Sequence, residues 1–136
     1  MDARGGCLCG DIRYRITGEP RVATLCHCRS CRLASGAPAV AWVVVRRSDF
    51  AIERGSPVSY RSSPPVERTF CGRCGTSLTY QTDGSPDTID IHAATLDAPD
   101  EVAPTREIWL EHKIAWMATN PRLQPYPRSS ADDGPV

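Results

Sequence analysis

Between Phe70 and Thr76 the chain reads Cys71-Gly72-Arg73-Cys74-Gly75. Two thiolates separated by two residues can grip one tetrahedral ion, and the interleaved glycines give the backbone the freedom a tight turn around a metal needs. The segment predicts a metal knuckle. A knuckle supplies two ligands and a closed structural zinc site needs four, so a second pair has to come from elsewhere. Five cysteines remain, grouped as Cys7 with Cys9 and as Cys26, Cys28 and Cys31. Joining Cys7 and Cys9 to Cys71 and Cys74 makes four and leaves the group of three intact. Cys26, Cys28 and Cys31 would then offer zinc three thiolates and an open fourth position, the ligand count of a site that admits water or substrate. The competing partition joins the knuckle to two of Cys26, Cys28 and Cys31 and leaves Cys7 and Cys9 loose. Spacing alone leaves both partitions open.

His27 stands between two ligand candidates. On extended backbone adjacent side chains point in opposite directions, so Cys26 and Cys28 face a metal together only with His27 turned away. The alternative is a closed site with His27 as fourth ligand. Arg29, Arg32 and Arg73 lie close in sequence to the thiolates and can offset part of their charge. His92 and His112 stand alone, without a carboxylate or nucleophile at a recognisable spacing. Trp109 and Trp116 could line a pocket or pack in a core. No phosphate-binding glycine loop, serine elbow or dinucleotide fingerprint occurs.

The rest of the composition narrows the setting. With 136 residues the chain has room for one domain. Sixteen basic and sixteen acidic side chains cancel, which removes the global field that would favour nucleic acid or an anionic membrane. The longest apolar run, Ala37 to Val45, is broken by Pro38 and is too short to span a bilayer. No apolar leader precedes Cys7, which predicts a cytoplasmic protein whose clustered thiols stay reduced. An odd cysteine count also disfavours a disulfide framework.

The expected secondary structure is mostly β. Ile12, Tyr14 and Ile16 alternate with Asp11, Arg13, Arg15 and Thr17, the period of a half-buried strand over Gly10 to Thr17. Further strands are expected at Ala39 to Val45, Val66 to Phe70, Ser77 to Thr82 and Thr88 to His92. Cys31 to Ser35 predicts one helical turn ending at Gly36, and Thr105 to Met117 a strand followed by loop. Arg128 to Val136, poor in large apolar residues, predicts a disordered tail.

Taken in order, these motifs resemble a known family. Gly6-Cys7-Leu8-Cys9-Gly10 with Tyr14, Cys26-His27-Cys28-Arg29-Ser30-Cys31-Arg32 with Gly36-Ala37, and Phe70 to Gly75 look like the glutathione-dependent formaldehyde-activating enzymes, a family that also takes in centromere protein V. Ala94 to Pro99, and Ile108-Trp109 with Trp116 and Tyr126, resemble its later segments. The likeness spans about residues 5 to 127. It implies a β-tent of small antiparallel sheets organised by two zinc sites in a single domain, with two Zn²⁺ per chain. By the same resemblance Cys7, Cys9, Cys71 and Cys74 would be structural ligands, and Cys26, Cys28 and Cys31 would hold the catalytic zinc. The implied activity is that of a carbon–sulfur lyase on a small thiol adduct such as S-hydroxymethylglutathione, with glutathione as the thiol partner. The alternative is a non-catalytic, zinc-stabilised binding module.

Overall fold

A computed structural model describes residues 1–130. Its strands are β1 (Asp2–Gly6), β2 (Arg13–Thr17), β3 (Val22–Cys26), β4 (Val40–Arg46), β5 (Phe50–Arg54), β6 (Val58–Ser63), β7 (Val66–Phe70), β8 (Ser77–Thr82), β9 (Thr88–His92), β10 (Arg106–Ile108) and β11 (Gln124–Pro125). One α-helix, α1 (Arg29–Ser35), follows β3. The mostly β architecture expected from the sequence is the one adopted.

Alternation around Tyr14 builds the smaller sheet, in the order β1-β2-β5. Tyr14 and Ile16 are fully buried on one face of β2. On the other face Arg13 donates to Asp97 and Arg15 to Asp2. The larger sheet runs β11-β10-β3-β4-β9-β8-β7-β6. Its pairings are antiparallel from β3 through β6, whereas β10 lies parallel to both β3 and β11.

Period-2 alternation gives the larger sheet two different faces. Val43 and Val45 of β4 and Ile89 and Ile91 of β9 stand in register and enter the main core with Tyr14, Ile16, Phe50 and Leu78. Val40 and Trp42 point the other way and form a second cluster with Cys26 and Cys31, flanked by Tyr80, Ile108 and Trp109. One face therefore stabilises the fold and the opposite face carries the three-cysteine group.

The helix begins two residues before the expected turn because Cys28 caps it, its Sγ accepting from Cys31 N at 3.3 Å. It ends at Gly36, as expected, where a left-handed φ of 71° lets the amide bond to Arg32 O. Strands β1, β3, β5, β6 and the two-residue β11 were not foreseen as such. All six residues of β6 are exposed, so it lacks an alternating apolar signal, and β3 is covered on both sides and does not alternate. Segment 105–117 is a strand followed by 3-10 turn and loop. Of the tail expected to be disordered, residues 131–136 lie outside the described residues. Arg128 O accepts from Trp109 N, and the Arg128 guanidinium pairs with Glu111.

Candidate metal centres and their cavity

The turn between β1 and β2 meets the turn between β7 and β8. This brings Cys7, Cys9, Cys71 and Cys74 together, with all four sulfurs within 4.8 Å of one another. Cys7 and Cys9 Sγ are 3.6 Å apart, and Cys9 and Cys71 Sγ 3.8 Å. Zinc–sulfur bonds of about 2.3 Å in a tetrahedron require sulfur–sulfur edges of about 3.8 Å, whereas a disulfide needs about 2.05 Å. The spacing fits a shared ion. Both turns are knuckles: Gly10 and Gly75 have φ of 81° and 80°, and their amides bond to Cys7 O and Cys71 O. Ile12 N donates to Cys7 Sγ at 3.2 Å and Cys74 N to Cys71 Sγ at 3.5 Å. Hydrogen bonding from Thr76 holds the Cys74 thiol down at about 5. Across the cluster Arg73 pairs with Asp11 at 3.1 Å, which clamps one knuckle to the other.

Cys26 at the end of β3, Cys28 at the helix cap and Cys31 inside α1 form the second group, their sulfurs again within 4.8 Å of one another. Hydrogen bonds from the Cys26 and Cys31 thiols hold Cys28 down at about 2, and the Cys26 thiol rises in return. Three thiols this close together are chemically suited to a dication, which would ionise them on binding. Beside it Arg68 of β7 directs Nη1 and Nη2 at Cys31 Sγ, each at 3.8 Å. Its guanidinium lies 5.0 Å from the centre of the Tyr80 ring, and its Nε donates to Ser62 Oγ at 3.0 Å. Both cysteine groups could thus hold a metal ion.

His27 is turned away from the sulfurs. It is fully buried, with Nε2 2.9 Å from Glu107 Oε1, and that carboxylate also accepts from Asn120 N. His27 Nδ1 has no hydrogen-bond partner among the described residues. If Nε2 carries the proton donated to Glu107, Nδ1 is a bare acceptor, which costs less than an orphaned N–H. The pair fastens the β3–α1 corner to β10.

The triad opens into a cavity of about 500 Å³. Trp42 and Tyr80 form part of its wall, their rings 5.9 Å apart, and Trp109 lines it with a left-handed φ of 57°. Such a conformation is uncommon in a residue with a bulky side chain and concentrates at functional sites. His112 also reaches the cavity, and its Nδ1 accepts from Arg29 N at 3.5 Å. His92 instead packs on Trp42 at 4.2 Å, where burial pushes it down to about 4. Trp116 is 73% exposed.

Of the arginines singled out in sequence, Arg73 bridges the knuckles and Arg29 lines the cavity. The cation that touches a triad sulfur is Arg68, which sequence reasoning did not select. Its signal was present: in Val66-Glu67-Arg68-Thr69-Phe70 the arginine occupies the position between two apolar residues on the same face. Glu107, Asp90 and Arg106 were also missed, and their spacing carries no comparable mark.

Three comparisons place this arrangement among known proteins. A crystal structure of a Rhodobacter sphaeroides protein superposes with a TM-score of 0.59 at 22% identity, covering 90% of this chain and 98% of that one, which shows a shared fold. A Halomonas elongata protein provisionally named a glutathione-dependent formaldehyde-activating enzyme is 27% identical over 133 residues, 91% of this chain and 85% of its own. An uncharacterised lyase of Schizosaccharomyces pombe is 33% identical over 76 residues, 56% of this chain, and the match spans only 55% of the yeast protein. The sequence profile of the glutathione-dependent formaldehyde-activating enzymes matches residues 2–112, a stretch that contains all seven cysteines, and the chain belongs to that family.

Proposed function

We propose that this protein is a zinc-dependent carbon–sulfur lyase acting on a small thiol adduct such as S-hydroxymethylglutathione. The observation that carries the reading is the three-sulfur group set in the wall of a cavity of about 500 Å³, with the Arg68 guanidinium against one of its sulfurs. In this reading Cys7, Cys9, Cys71 and Cys74 hold a structural zinc, and Cys26, Cys28 and Cys31 hold a catalytic one, giving two ions per chain. When bound at the triad, the ion supplies Lewis-acid chemistry that favours the ionised form of a thiol or polarises a carbonyl oxygen.

In the lyase direction the carbon–sulfur bond of the adduct breaks and its electron pair goes to sulfur. The hydroxyl oxygen loses its proton as the carbonyl forms, and sulfur takes up a proton to leave glutathione and formaldehyde. Arg68 presents positive charge on the side where negative charge grows on sulfur. The Cys31 amide fixes Cys28 Sγ, and the aromatic wall of Trp42 and Tyr80 limits water at the reacting carbon. All seven cysteines are free thiols, which suits the reducing cytoplasm that the reading assumes.

Metal content and an adduct assay test the proposal together. The expected result is two zinc ions per chain and acceleration of adduct formation and breakdown from glutathione and formaldehyde, followed by NMR. Two zinc ions with no acceleration and no thiol binding would overturn it in favour of a zinc-stabilised binding module.

A further inference from the structure

Asp90 and Arg106 also line the cavity. The Asp90 carboxylate accepts no hydrogen bond and forms no ion pair among the described residues, and burial pushes it up to about 7 against the opposing charge of Arg106. Arg106 donates Nε to Thr24 Oγ1 at 2.9 Å and makes no ion pair with Asp90. This half-buried carboxylate has no donor from the described residues and is left to cavity water, which a guest's ammonium can replace with a charge-assisted contact.

Strand register fixes where this pair sits relative to the sulfurs. Asp90 stands opposite Tyr80, and Tyr80 opposite Arg68, whose guanidinium reaches Cys31. Two strand spacings, about 10 Å, therefore separate the Asp90 backbone from the Arg68 backbone. Burial raises the Tyr80 hydroxyl, and the charges of Asp90, of Arg68 and of the thiols also act on it.

We propose that Asp90 and Arg106 form a subsite for an α-amino-acid head group carried at the far end of the thiol substrate, with its ammonium on Asp90 and its carboxylate on Arg106. This rests on the reading that the thiol itself lies at the three-cysteine end. Asp90 is then a specificity-determining residue. A γ-glutamyl thiol such as glutathione is long enough to reach both ends. Cysteine, with sulfur and nitrogen on adjacent carbons, is too short.

The experiment is calorimetric titration of the zinc-loaded protein and its Asp90→Asn variant with glutathione and with its des-amino analogue, glutaryl-cysteinyl-glycine. Wild type should bind glutathione about tenfold or more tightly than the analogue, the effect of one charge-assisted contact, and D90N should bind the two within about twofold. Cysteine and 3-mercaptopropionate should bind equally to both proteins. Equal binding of glutathione and its analogue to wild type overturns the proposal without requiring any variant. So does discrimination that survives D90N, or a preference for cysteine that depends on Asp90. Spectra of cobalt-substituted wild type separate this failure from that of the underlying reading. If glutathione and its analogue shift the cobalt bands equally well, thiol binding at the triad stands and only the head-group subsite falls. If neither shifts them, both fall.

Discussion

Arg68 aims both terminal guanidinium nitrogens at Cys31 Sγ, at 3.8 Å each, from β7, a strand that three others (β4, β5 and β6) separate from α1 in sequence. The contact puts a buried cation against a sulfur of the candidate catalytic group and ties β7 to α1. Arg68→Met keeps much of the side-chain volume and removes the charge. The expected outcome is a fall of about tenfold to a hundredfold in kcat/KM for the thiol adduct, the range of one charge-assisted contact, with zinc content retained. Unchanged kinetics in R68M would remove Arg68 from the chemistry.

The four-cysteine group joins turns 62 residues apart, as measured from Cys9 to Cys71. In the proposed reading, metal affinity at this group would be folding free energy. Cys74→Ser is expected to give an unfolded or aggregated chain with depleted zinc, seen by circular dichroism and elemental analysis. A soluble, cooperative variant with full zinc content would overturn the assignment.

Replacing Cys28 should act differently. Its sulfur caps a short helix on the cavity side, away from the main core. Cys28→Ser keeps a hydroxyl able to cap and should fold, at a cost of about 1 kcal/mol or less. It should lose the thiol-induced change in cobalt absorption that wild type shows. Persistence of that change would place thiol binding elsewhere.

The His27–Glu107 contact is fully buried at both ends. Removing Glu107 leaves the buried His27 Nε2–H without its acceptor and empties the space of the side chain, which together cost about 3–5 kcal/mol. Glu107→Ala should therefore lower Tm by about 10–20 °C in a chain of this length. A much smaller shift by calorimetry would mean the pair contributes little to holding the β3–α1 corner.

Asp90 supplies a pH test with a definite sign. Its folded-state pKa is raised to about 7 from an ordinary 3.8 by burial. The folded state therefore prefers the protonated acid, and this contribution is complete below about pH 4 and lost as pH rises to about 7. Wild type should lose stability over that window relative to D90N, so the Tm difference between them should widen by several degrees and then level off. His92 titrates in the opposite sense, being pushed down to about 4, and is common to both proteins, so the difference isolates Asp90. A Tm difference independent of pH would contradict the burial of that carboxyl.

How much of this was legible in sequence depended on whether the signal was local. Tyr14 with Ile16, and the runs Val66 to Phe70, Ser77 to Thr82 and Thr88 to His92, announce their strands through alternation and turn residues at their ends. The knuckles announce themselves through cysteine spacing. Asp90 did not, because Thr88, Asp90 and His92 make a polar face to β9 that reads the same whether it meets water or a cavity. Glu107 becomes meaningful only when β10 lies beside β3, a parallel pairing between segments some 80 residues apart that no local pattern encodes. Exposed β6 draws its order from pairing with β7 rather than from burial.

That distant pairing also orders events in time. Synthesis passes all seven cysteines, from Cys7 to Cys74, before it reaches Arg106–Ile108, so the growing chain contains every thiol of both groups while one wall of the cavity is still to be made. Until β10 arrives, Cys26 borders β4 on one side and solvent on the other, and His27 has no Glu107 to meet. The wall that β10 supplies is therefore the last part of the cavity to be made, and it is laid against thiols already in place.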